Sequence, residues 1–154
     1  MTHVSVFALD GPVVRGEAGA LWISHLAARG VASPGLLAKV ALVSVLDRRG
    51  VRLDLDRLAH DTMAPFEGLP VDGMDRALDG FVANRLLPAV RPQAMRAMAE
   101  LRALGHRIVL ATSAIAPIAE RLARHLPIDA WVGSELAPAA DGRFVGALEG
   151  PVAV

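Results

Sequence analysis

The sequence of 154 residues contains no cysteine, only one lysine (Lys39) and no excess of charge, with 16 basic and 16 acidic residues. The absence of cysteine excludes disulfides and thiolate metal sites. The charge balance argues against binding to nucleic acid or to an anionic membrane. The longest apolar run, near 36–46, includes Lys39 and is too short to span a bilayer. The N-terminus lacks a signal-peptide pattern, so we expect a soluble, cytoplasmic protein.

A short apolar run, Val4–Leu9, is followed directly by Asp10-Gly11-Pro12. Such a run is typical of a strand that is buried on both faces of a parallel sheet, and the Asp-Gly-Pro sequence ends it sharply. Open α/β sheets bind ligands at the carboxyl ends of their strands. The sequence therefore places the carboxylate of Asp10 where a ligand would bind.

A block of helices is predicted after this strand, because apolar residues recur there at helical spacing. Ser33 is suited to be an N-cap, with Pro34 at the first helical position. The predicted helices span 17–28, 34–48, 54–63 and 72–87.

The second part of the chain alternates helices and strands, which predicts an α/β fold with parallel strands and right-handed crossovers. A helix from Arg91-Pro92 to about 104 should turn Met95, Met98, Leu101 and Leu104 toward the core. The elements that follow are a strand over 107–112, a helix over 116–126 and a strand over 128–132. Asp141-Gly142 between two apolar segments predicts a hairpin near the end of the sequence.

Several stretches, in this order, resemble the haloacid dehalogenase superfamily. The run into Asp10-Gly11 resembles its first motif, Phe-Asp-x-Asp-Gly-Thr-Leu, and Leu104–Ser113 resembles its second, a strand ending in a hydroxyl residue. Residues 119–129 and 142–150 are similar to the helix, strand and hairpin that follow. The phosphoserine phosphatase-like branch matches best, because it inserts a helical cap between the first two motifs.

The resemblance implies a fold and a domain division. The fold is α/β, a Rossmann-like parallel sheet with a helical cap inserted after strand one. Residues 1–16 and 88–154 would form the core, which is incomplete relative to the family, and 17–87 would form the cap.

The resemblance also assigns site residues. Asp10 would be the acid/base and a weak magnesium ligand, Gly11, Thr112 and Ser113 would bind phosphate, and Glu17 would contact substrate or the cap. Simpler structural roles are open for three of them. Asp10 can cap the turn that follows it, Thr112 can N-cap the next helix, and Glu17 is a favourable acid in a first helical turn.

The departures from the family pattern concern its chemistry. The family's nucleophilic aspartate falls on Ala8, and its motif threonine is replaced by Pro12. The family's lysine and magnesium-binding acidic pair would follow the hairpin, and the sequence reaches Val154 before them. We therefore expect a degenerate phosphatase-like protein that is catalytically silent or impaired, binds magnesium weakly or not at all, and binds a small phosphorylated or anionic ligand or a protein partner. The alternative is a truncated or altered form of a magnesium-dependent phosphomonoester hydrolase.

Strand one also raises an expectation about assembly. By resemblance it should lie at an open edge of this sheet, and it carries no lysine, proline or inward charge to protect that edge. We expect the chain to form a homodimer, or to bind a partner, through strand one.

Overall fold

The computed structural model describes residues 3–31, 33–50, 71–138, 141 and 144–149. In chain order, its elements are β1 (Val4–Ala8), α1 (Ala18–Ala28), α2 (Pro34–Arg48), α3 (Val71–Phe81), a π-helical turn (Val82–Leu86), a 3₁₀ turn (Leu87–Ala89), α4 (Pro92–Ala103), β2 (Arg107–Ile115), α5 (Ala116–Ala123), β3 (Ala130–Pro138) and β4 (Phe144–Glu149). The predicted helix over 54–63 lies outside the described residues. No described helix has the length and apolar character needed to cross a membrane.

The strands form one sheet in the order β1-β2-β3-β4. β1, β2 and β3 are parallel, with Val6 beside Val109 and Val109 beside Ala130. β3 and β4 are antiparallel, with Glu135 opposite Glu149, and form the predicted hairpin. The predicted α/β class with a parallel sheet is thus confirmed.

The burial of β1 corrects the prediction that this strand is covered on both faces. Val4 and Val6 are 59% and 65% exposed, whereas Phe7 on the other face packs against the core. Since β1, β2 and β3 follow one another across the sheet, right-handed crossovers place their connecting helices on one face. The other face is left more open by the described elements, and Val132 on β3 is also 41% exposed there.

β1 is an edge strand of the described sheet, as predicted. The N–H of Leu9 donates to the carbonyl of Ala111, and the N–H of Arg107 donates to the carbonyl of His3. Odd-numbered residues of β1 therefore bond to β2. By the alternation of a parallel ladder, the backbone groups of Val4, Val6 and Ala8 point to the open edge.

The helices and the covered face of the sheet share one core. Its largest fully buried side chains are Phe81, Leu9, Ile23, Leu26, Met74, Leu78, Leu86, Met98, Ile108, Leu110 and Ile118. On α4 the core-facing stripe is Ala94, Met98 and Leu101, at positions i, i+4 and i+7. The prediction that Met95 and Leu104 face the core was wrong. Met95, next to the buried Ala94, is 44% exposed, and Leu104, directly after the end of α4, is 73% exposed.

Some boundaries also differ from the predicted ones. The helix expected over 72–87 is α-helical only to Phe81. It is followed by the wider π-helical turn and then by the tighter 3₁₀ turn, which contains Pro88, a residue that cannot donate a helical hydrogen bond. β2 runs three residues further than expected, to Ile115, and β3 begins at Ala130 rather than at 128 and continues to Pro138, where it pairs with β4.

The end of α5 and the start of α2 were also predicted. α5 ends at Ala123, three residues earlier than predicted. Ser33 caps α2 as predicted, because its Oγ accepts the N–H of Leu36 at 3.2 Å.

His25 is buried in an aromatic cluster. Its ring stacks on Trp22 at 5.9 Å between centroids and meets the edge of Phe81 at 5.6 Å. Its Nε2 has no hydrogen-bond partner among the described residues. Burial, together with the nearby charges of Arg29 and Arg85, lowers the pKa of His25 below its ordinary value. The folded chain therefore holds this histidine neutral.

We predict that His25 makes the stability of the protein sensitive to mild acid. The unfolded chain protonates this histidine near its ordinary pKa of about 6.5, and the folded chain does so only at lower pH. The stabilisation is present above that ordinary pKa and is lost as the pH falls below it. Urea unfolding at several pH values should show this slope, and His25→Phe should flatten it. His125→Phe, on an exposed position, is the control and should keep the slope of the unaltered protein.

We also predict self-association through β1. In the described part of the chain, three residues of β1 direct their N–H and C=O groups to the edge of the sheet, and two of them carry exposed valine side chains, which favours pairing with another strand. Light scattering during size exclusion should give a dimer, and Val6→Lys should convert it to a monomer. Leu104→Lys places the same charge on an exposed leucine outside β1 and should leave the dimer intact. A monomer at high micromolar concentration contradicts the prediction.

Candidate functional site

The parallel pairing of β1 and β2 brings two polar side chains together at the carboxyl ends of the strands. Ala8 lies beside Ala111, and the N–H of Leu9 donates to the carbonyl of Ala111 at 2.8 Å. Two residues beyond this pair, the backbone reaches Asp10 after β1 and Ser113 on β2. The register of the two strands therefore sets the position of both polar groups.

Asp10 joins three elements through its carboxylate. Its Oδ1 accepts the backbone N–H of Ala18, the first residue of α1, at 2.6 Å. Its Oδ2 lies 3.5 Å from the Oγ of Ser113, which donates to it. A capping role was one of the two interpretations of Asp10 from the sequence. The structure shows such a role at the start of α1 rather than in the adjacent turn.

The side chain that caps α1 belongs to Asp10 and not to Glu17. Glu17 occupies the N-cap position of α1 with extended backbone angles (φ −113°, ψ 124°), but its side chain makes no capping hydrogen bond. Its carboxylate is close enough to act on Asp10 through its charge. Burial, with a smaller contribution from Glu17, raises the pKa of Asp10, although the hydrogen bonds from Ala18 and Ser113 act in the opposite direction.

The loop after Asp10 is closed on itself. Gly11 has a φ of +86°, a backbone conformation that glycine adopts readily, and its N–H donates to the carbonyl of Val14 at 3.1 Å. The Gly11 N–H is therefore occupied within the loop, and the phosphate-binding role predicted for Gly11 would need this bond to open. The carbonyl of Gly11 is also engaged, because it accepts the Nε of Arg91 at 2.7 Å.

Arg91 is a site residue that the sequence analysis missed. Its backbone N–H donates to the carbonyl of Val13 at 2.8 Å, so both its main chain and its guanidinium hold the loop. The sequence contains many arginines, and Arg91 is the one that precedes the helix beginning at Pro92. The only signal that could have found it is its place directly before α4, since the N-terminus of that helix lies at the same end of the sheet as the loop.

The two hydroxyl residues at the end of β2 have different environments. Thr112 is 3% exposed, and its Oγ1 accepts the N–H of Ala114 at 2.9 Å. The alternative that Thr112 N-caps the next helix is wrong, because Ile115 occupies that position. Successive side chains of a strand point to opposite faces. Of the two, only Ser113 is exposed and reaches Asp10.

Residues 6–154 match the sequence model of the haloacid dehalogenase-like hydrolases. The chain belongs to this family. A search of curated proteins found no sequence match.

Several solved structures share the fold. A protein of unknown function from Bordetella pertussis superposes with a TM-score of 0.82 at 19% identity, over 99% of this chain and 69% of that one. A phosphoserine phosphohydrolase-like protein from Francisella tularensis gives 0.71 at 15% identity, over 97% and 65%. A phosphoserine phosphatase with a phospho-aspartyl intermediate analogue gives 0.67 at 17%, over 97% and 63%. The chain thus spans about two thirds of the length of these proteins.

The family's use of magnesium can be tested against the residues at this site. Ala8 is exposed and offers a methyl group instead of a ligand oxygen. One oxygen of Asp10 already accepts the Ala18 N–H. Within the described ranges, no three acidic or histidine side chains come close enough together to hold a metal ion. The residues that the structure describes here do not fit a magnesium site.

We predict how two neighbours of Asp10 control its titration. Carbon-detected NMR should find the carboxyl pKa of Asp10 above the ordinary range, because burial disfavours its charged form. Glu17→Gln should lower this pKa, since it removes a nearby negative charge. Ser113→Ala should raise it, since it removes a hydrogen bond to the carboxylate. Opposite shifts in the two variants support the described contacts, and an Asp10 that titrates in the ordinary range contradicts them.

Proposed function

We propose that this protein binds a small phosphorylated or anionic molecule at the carboxyl ends of β1 and β2 without hydrolysing it. The observation that carries the proposal is Ala8. It occupies the position at which the family motif has its nucleophilic aspartate, it pairs with Ala111 in the register of the sheet, and it lies on the exposed side of β1.

The missing carboxylate has a chemical consequence. Phosphomonoester hydrolysis through an aspartyl-phosphate needs an oxygen that attacks phosphorus and then carries the phosphoryl group. A methyl group can do neither. Loss of a nucleophile lowers the rate by roughly 10⁴- to 10⁶-fold, which corresponds to about 5–8 kcal/mol of transition-state stabilisation.

The remaining side chains are suited to binding. The exposed hydroxyl of Ser113 can turn from Asp10 to an oxygen of a ligand. Burial raises the pKa of the Asp10 carboxyl above its ordinary value. Its bond to the Ala18 N–H fixes its orientation. Arg91, held on the loop through Nε and otherwise exposed, adds positive charge at the same end of the sheet.

The alternative, an altered magnesium-dependent phosphomonoester hydrolase, draws on the phosphoserine phosphatases among the structural neighbours. It differs from our proposal in one measurable respect, because a hydrolase would turn over substrate once its nucleophile is restored. What supports the binding protein over the hydrolase is Ala8, whose methyl group can neither attack phosphorus nor ligate a metal.

We predict that the protein binds inorganic phosphate but leaves phosphoserine and p-nitrophenyl phosphate unhydrolysed with magnesium. Titration with phosphate should shift NMR signals of 8–11 and 111–114, and Ser113→Ala should weaken binding about tenfold, as expected for loss of a hydrogen bond to a charged group. Ser24→Ala, whose hydroxyl donates to the carbonyl of Leu21 away from the site, is the matched control. Turnover above the buffer rate that Asp10→Asn abolishes would overturn the proposal.

Ala8→Asp separates the proposal from its alternative. We expect this variant to remain at the background rate, because a carboxylate alone does not supply the cationic partners of the transferred phosphoryl group. The single lysine of this sequence, Lys39, lies on α2 in the helical block rather than in the sheet. A large gain in rate together with tight magnesium binding would favour the altered hydrolase.

A further inference from the structure

A buried arginine connects the helical block to the α/β core. The side chain of Arg121 on α5 is only 9% exposed. Within the described part of the chain, it and His25 are the buried ionisable residues. A buried cation needs acceptors for its N–H groups, because desolvation of an unpaired charge is very costly.

The acceptors of Arg121 come mainly from another helix. Its Nε donates to Asp79 at 2.7 Å and its Nη2 donates to Asp75 at 2.7 Å, both on α3. Its Nη1 donates to the carbonyl of Pro117 at 3.2 Å. Asp75 and Asp79 are four residues apart and therefore lie on the same face of α3. One guanidinium thus spans two carboxylates on one helix, and each of its three nitrogens has an acceptor.

We propose that Arg121 is a latch that holds α3 on α5, so that α3 moves with the core and independently of α2. The two sides of the latch are unequal. Asp75 and Asp79 are 54% and 62% exposed and can be solvated by water, whereas Arg121 would remain buried without acceptors. Separation of α3 from α5 is therefore disfavoured chiefly by the arginine.

The apolar packing of the two helices around the latch agrees with this division. Met74, Leu78 and Phe81 form one stripe of α3 and lie in the same core as Ile118 and Leu122 of α5. α2 differs from α3. Of its described side chains only Leu36 packs against the core, and Leu42 and Val45 are 58% and 47% exposed. The sequence prediction divides cap from core after 87, whereas this proposal puts α3 on the core side. It does not depend on whether the site binds an anion.

Hydrogen exchange of the amides of α3 tests the latch. Asp75→Asn with Asp79→Asn removes both charges while keeping acceptor oxygens, and it should accelerate exchange in Val71–Phe81 roughly tenfold or more. Exchange in α4 (Pro92–Ala103) and in α2 (Pro34–Arg48) should be unchanged. Were the double variant to unfold, Asp75→Asn alone, which leaves Asp79 on the guanidinium, gives the same comparison with a smaller effect.

The control uses an exposed ion pair at the C-terminal end of α5. Arg124 pairs with Glu120 at 2.8 Å, with both side chains largely exposed, so Glu120→Gln should leave the exchange of α3 unaltered. Acceleration confined to α3 in the aspartate variants supports the latch. Unchanged protection of α3, or equal acceleration of α2 and α3 as a single unit, overturns it.

Discussion

The hydrogen bond from the Ala18 N–H to the carboxylate of Asp10 is the contact on which the arrangement of the site depends. β1 ends at Ala8, two residues before Asp10, and α1 begins at Ala18, so one side chain closes the loop between them. The first N–H groups of a helix have no partner inside it. Asp10 satisfies one of them and, through Ser113, also meets the end of β2. The chain thereby leaves the sheet for the helical block at a fixed point and in a fixed direction.

Local pattern predicted the elements better than their surroundings. The apolar runs predict the strands, glycine and proline mark several ends of elements, and the predicted cap at Ser33 is confirmed by its contact with the N–H of Leu36. The error at β1 has a different origin. Val4 and Val6 have the composition of a buried strand, but the placement of the crossover helices decides which face is covered, and that is a property of topology. On α4, Ala94 occupies the core-facing position, and its neighbour Met95 is exposed.

The site was predictable only in part, because the placement of some of its residues depends on the fold rather than on local sequence pattern. Asp10 follows from a carboxylate at the end of an apolar run. The choice between Thr112 and Ser113 required the pleat of β2, and this strand continues to Ile115, beyond the end that the sequence indicated. Arg91 could not be singled out, because its function as a brace for the Gly11 loop depends on a carbonyl 80 residues earlier in the chain. Side-chain chemistry at the end of a strand predicts Asp10, whereas the contact of Arg91 depends on backbone geometry that a local pattern does not contain.

The contacts of Asp10 separate what the fold needs from what catalysis needs. A carboxylate at this position caps α1 and accepts from Ser113 whether or not a nucleophile lies two residues before it. Loss of the carboxylate at position 8, by contrast, removes no hydrogen bond that the described structure depends on, because Ala8 contributes to the sheet through its backbone. An alanine at position 8, where the family motif has an aspartate, is therefore compatible with the fold. The presence of Asp10 is then explained by its contacts to α1 and β2, and the proposal that the protein does not hydrolyse phosphate rests on position 8.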